Sequence, residues 1–90
     1  MANTTPLTLP TIHLNGTSAE YLHERYTDAL LSVRAAISSL SESAPNARDY
    51  YVQGPSAYAQ ARTEHERRMH RLADVSHELQ QLCDATDPNL

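Results

Sequence analysis

Lysine, phenylalanine and tryptophan are all absent from this 90-residue chain. Every cation is therefore one of seven arginines, and every aromatic ring one of five tyrosines. A single cysteine, Cys83, excludes an intrachain disulfide and a cysteine-built metal site. No apolar run approaches the length of a membrane span. The start, Met1-Ala2-Asn3-Thr4-Thr5-Pro6, lacks the basic and then apolar regions of a signal peptide. There is no basic excess either. The formal net charge is −4, whereas a binder of long nucleic acid wants a basic stripe. One small domain, without membrane or long nucleic acid as partner, is the expectation.

Arginine grips carboxylates and phosphates through two parallel hydrogen bonds, and tyrosine offers a stacking face with a polar tip. Codon bias in a GC-rich genome is the plain alternative for the missing lysines.

Residues 1–16 are rich in Thr, Pro and Asn and show no helical period, so they read as an extended N-terminal arm. Thr11-Ile12-His13-Leu14 alternates like a short strand, and Asn15-Gly16 turns the chain. A first helix is expected over 17–43. Thr17 with Glu20 has the form of a capping box. Tyr26, Leu30, Val33, Ile37 and Leu40 follow at heptad spacing, widened by Leu22, Ala29 and Ala36. Pro45 stops that helix. A second helix is expected over 55–86, opened by Gly54-Pro55-Ser56. Its apolar side carries Tyr58, Ala61, His65, Met69, Leu72, Val75, Leu79 and Leu82. Glu64→Arg68 and Arg62→Glu66 are candidate ion pairs on its wet side.

The fold class is therefore all-α: a two-helix antiparallel hairpin behind an extended arm. Two helices share one seam and cannot enclose a core. Chains this small otherwise need disulfides, metal or self-association. A homo-oligomeric helical bundle is the expected outcome.

The connection, 44–54, is long for a helical hairpin, where about 2–8 residues suffice. It holds Arg48, Asp49, Tyr50 and Tyr51. The guanidinium suits phosphate or carboxylate, a tyrosine ring suits a base, and Asp49 suits a ribose or amino group. The competing explanation is structural: both tyrosines plug the end of the bundle and Asp49 pairs with Arg48. Gly16, Thr17 and Ser18 form a second candidate, because a glycine turn entering a helix N-terminus presents free amides to an anion. Ordinary capping explains it equally well. In a hairpin these two groups lie at opposite ends, so they can meet only across subunits.

Other constellations are weaker. His65 and His70 are five residues apart, about 140° around a helix, and cannot share one zinc. His70 and His77 share a face but lack a third ligand. Arg62, Arg67, Arg68 and Arg71 are interleaved with Glu64, Glu66 and Asp74, as on a solvated face. No nucleophile elbow or oxyanion hole is in view, so an enzyme is not expected, and neither is a cofactor.

Ile12-His13-Leu14-Asn15-Gly16-Thr17-Ser18, together with Pro45-Asn46-Ala47-Arg48-Asp49-Tyr50-Tyr51-Val52-Gln53-Gly54, resembles a group of small proteins of tailed bacteriophages. The likeness covers most of 11–82 and carries no function of its own. In size and hairpin architecture the chain also resembles phage anti-defence sponges. These are helical oligomers that sequester cyclic-nucleotide or ADP-ribose-type immune signals. That resemblance implies a non-enzymatic protein of the host cytoplasm that partners itself and a small nucleotide-like ligand. Its site would combine Arg48, Asp49, Tyr50 and Tyr51 with Gly16, Thr17 and Ser18. The alternative is a protein-interaction or structural module, such as a phage assembly factor or an inhibitor of a host protein, docking through its apolar helix face.

Overall fold

The computed structural model describes residues 6–90, so the first five residues of the expected arm lie outside the described part. Two helices form an antiparallel hairpin: α1 (Ala19–Ser41) and α2 (Ala57–Thr86). Between them the chain makes two short 3-10 turns, Ala47–Asp49 and Tyr51–Gln53. The molecule is a rod of 62 × 26 × 19 Å.

The start of α1 differs from the expected capping box. Ser18, not Thr17, is the cap: it is extended, and its Oγ accepts from the Tyr21 amide at 3.2 Å. Glu20 is thereby left in the first turn, where a carboxylate complements the helix dipole. At the other end the Ser41 and Ser43 hydroxyls donate back to the Ser38 and Ser39 carbonyls at 2.6 and 3.3 Å. These bonds give the last turn alternative partners just before Pro45. Helix α2 begins at Ala57, two residues later than the sequence suggests, because Pro55 and Ser56 belong to the turn.

Of the heptad positions, only Leu30 is buried, at 4% exposure, while Tyr26, Val33, Ile37 and Leu40 are half-buried. Ala61 and Cys83 are the other buried apolar residues among those described. Val75, expected on the seam, is exposed, and so is Ala36. A single seam shields one side of each helix, so the remaining apolar side chains stay half in water.

Polar contacts set the register. His23 donates through Nδ1 to the Cys83 carbonyl at 2.9 Å. The Asp87 amide, which would serve that carbonyl in a continuing helix, turns to the Asp84 carbonyl instead. His23 therefore caps the C-terminus of α2 from the neighbouring helix. The Thr86 hydroxyl, 1% exposed, donates to the Leu82 carbonyl at 2.8 Å and to that of Cys83 at 3.3 Å. Farther along, Arg34 donates to Gln80 Oε1 at 2.9 Å, and Gln80 donates on to Asp84 at 3.0 Å.

Candidate functional site

The hairpin tip is ordered by its own short-range bonds. Asn46 Oδ1 accepts from the Arg48 amide at 3.0 Å, fixing the first turn. The Asp49 and Tyr50 amides donate to the Asn46 and Ala47 carbonyls. The Gln53 and Gly54 amides donate to those of Tyr50 and Tyr51. Gly54 then takes φ 116° and ψ 170°, a conformation open essentially to glycine alone, and aims the chain into α2.

On this frame the side chains divide. Tyr50 is half-buried, whereas Tyr51 and Val52 are 72% and 76% exposed. Arg48 and Asp49 are exposed and make no side-chain hydrogen bond or ion pair among the described residues. The pairing of Arg48 with Asp49 considered from sequence is therefore not formed, and only one of the two tyrosines faces inward. Two other arginines do find rings: Arg25 lies over Tyr21 at 5.8 Å and Arg62 over Tyr58 at 5.7 Å. The tip thus offers one exposed guanidinium, one carboxylate and one exposed ring within four consecutive residues, with no side-chain partner for Arg48 or Asp49 among the described residues.

The other end is more self-contained. The Ser18 hydroxyl is already used by the Tyr21 amide, and the Gly16 amide donates to the His13 carbonyl at 3.1 Å. The His13 ring lies against Gly16, so a Cβ there would sit 2.8 Å from Nε2. Thr17 is exposed beside this turn. Glu20 in the first turn opposes an anion at this helix end. Along α1, 23 residues separate this group from the tip by about 35 Å. Within one chain Gly16, Thr17 and Ser18 are not brought near Arg48, Asp49, Tyr50 and Tyr51.

Elsewhere, the expected Glu64–Arg68 and Arg62–Glu66 pairs do not form. Arg62 turns to Tyr58, and Glu64 accepts from Gln60 at 3.3 Å. The ion pairs among the described residues are both made by Arg25, which bridges Glu24 at 3.2 Å and Asp28 at 2.6 Å. That bridge relieves a repulsion between two carboxylates four residues apart. Sequence reasoning left Tyr58 and Arg62 out of the site, although they occupy the first turns of α2 after the tip. Their i,i+4 spacing was the available signal, the same as that of Tyr21 and Arg25. His65 is half-buried on the seam, and His70 and His77 are exposed. Among the described residues no three His, Cys, Asp or Glu side chains are grouped to hold a metal ion. No described helix is long and apolar enough to cross a membrane.

No protein-family model matches this chain, and neither a curated protein nor a solved structure matches it.

Proposed function

We propose that this chain is a non-enzymatic binding protein that works as a homo-oligomer and recognises a small anionic ligand at the hairpin tip. The observation that carries this reading is Arg48: an exposed guanidinium without a partner among the described residues, on a loop ordered by its own bonds, three residues along the chain from the exposed Tyr51. A pre-ordered loop spares a ligand the entropy of fixing it. Arg48 would take phosphate or carboxylate oxygens, Tyr51 would stack on a base, and Asp49 would accept from a ribose or amino group. Small-molecule sites are concave, and one tip offers no enclosure, so a neighbouring copy has to supply the second wall. Gly16, Thr17 and Ser18 of that copy are candidates for it. In keeping with the phage and sponge resemblances, the ligand class is a cyclic-nucleotide or ADP-ribose-type immune signal in the host cytoplasm.

The test is thermal stabilisation and calorimetry of the purified protein against a nucleotide panel. Arg48→Ala should weaken binding of any hit by at least about 1.5 kcal/mol, roughly tenfold. Unchanged affinity removes Arg48 from the site.

Exposure of Tyr51 and Val52 side by side favours a second reading, a protein-docking tip, since tyrosine and arginine dominate interface hot spots. A stable protein indifferent to every nucleotide supports that module instead.

A further inference from the structure

We infer that Asn15 is a site of self-modification, its side-chain amide being converted to a carboxylate through attack by the backbone nitrogen of Gly16. This goes beyond the ligand reading above, and the modification itself does not depend on it.

The chain has four asparagines, Asn3, Asn15, Asn46 and Asn89, followed by Thr4, Gly16, Ala47 and Leu90. The reaction needs the nitrogen of the following residue to reach the asparagine Cγ. A side chain on that residue crowds the approach, and glycine has none. Only Asn15 is followed by glycine. The structure sets it apart a second time. Asn15 and Gly16 are both exposed, and the Asn15 carboxamide makes no hydrogen bond among the described residues. The Asn46 carboxamide is held instead, its Oδ1 accepting from the Arg48 amide at 3.0 Å within a hydrogen-bonded turn.

One bond opposes the attack. The Gly16 amide donates to the His13 carbonyl at 3.1 Å. It is a single turn bond outside either helix, between two exposed residues, so it opens more readily than a bond inside the helical ladder. What lies over Gly16 is the exposed His13 ring, a side chain free to move and not fixed backbone.

When the turn opens, the Gly16 nitrogen gives its proton to water and bonds to Asn15 Cγ. The bond from Cγ to the side-chain nitrogen breaks, ammonia leaves, and a cyclic imide closes. Water then opens the imide at either carbonyl. One opening leaves aspartate at this position. The other leaves isoaspartate, with the main chain routed through the former Cβ. Both place a new carboxylate beside Gly16, Thr17 and Ser18, at the helix end where Glu20 already stands. On the ligand reading, that charge repels the anion this group would help to hold.

The experiment ages the full chain at neutral pH beside Gly16→Ala and maps both by peptide mass spectrometry with fragmentation. Asn15 should gain the mass of an amide turned carboxylate and split into two chromatographic forms, while Asn46 and Asn89 stay amides. Gly16→Ala should slow the change several-fold while keeping the wild-type circular dichroism, so that the loss is not one of folding. Conversion at Asn46 or Asn89 as fast as at Asn15 overturns the inference. So does a rate at Asn15 that ignores Gly16→Ala, or an Asn15 that stays intact throughout. None of these outcomes bears on Arg48, whose part in ligand binding is read separately from Arg48→Ala.

Discussion

Gly54 and Gly16 are the two glycines of the chain, and they do different work. Gly54 has open space where a Cβ would go, but its φ of 116° is strained for any L side chain. Gly54→Ala should therefore lower stability by about 1–3 kcal/mol through the backbone alone. Gly16 has no positive φ; it is bare because the His13 ring lies on it. His13 is exposed and can swing away, so Gly16→Ala should stay within about 0.5 kcal/mol of wild type. Urea melts of the two variants side by side decide this, and equal losses would refute the distinction. The same scale shows what could be read of the candidate site. Arg48, Asp49 and the tyrosines were visible as chemical types in an overlong connection. Which tyrosine faces out was not. A 3-10 turn advances about 120° per residue, so adjacent side chains diverge, and which one turns inward depends on where the two successive turns begin.

At the scale of elements, the hairpin was legible because heptad spacing along 26–40 and the stop at Pro45 act locally. What escaped reading depends on contacts between elements. Thr17 and Ser18 have the same capping chemistry, so only the path of the incoming arm chooses between them. Arg62 had a carboxylate at i+4 and a ring at i−4, and the structure selects the ring. His23 carried no periodic signal, yet it serves the Cys83 carbonyl that the end of α2 leaves without its usual amide. His23→Ala should lower stability by about 1 kcal/mol, at the low end for an orphaned carbonyl because the Thr86 hydroxyl still donates to it. It should also speed amide exchange in the last turn of α2 more than in the first. Uniform acceleration along α2 would mean that His23 contributes general packing and not a cap.

At the scale of the whole molecule, the balance between core and surface governs. Leu30, Ala61 and Cys83 are the buried apolar residues among those described, and the radius of gyration is 18.3 Å, where a compact chain of this length has about 12 Å. Such a rod has little apolar burial to set against the conformational entropy of ordering its helices. If the missing burial comes from a second copy, folding and association are one equilibrium, and the melting temperature must rise with protein concentration. A tenfold rise adds about 1.4 kcal/mol per mole of dimer. Two 90-residue chains unfolding together release about 2.1 cal/mol/K per residue, so the midpoint should move up by roughly 4 °C per tenfold concentration. Melts followed by circular dichroism across two decades of concentration resolve such a shift. A flat midpoint would mean that one hairpin carries its own stability.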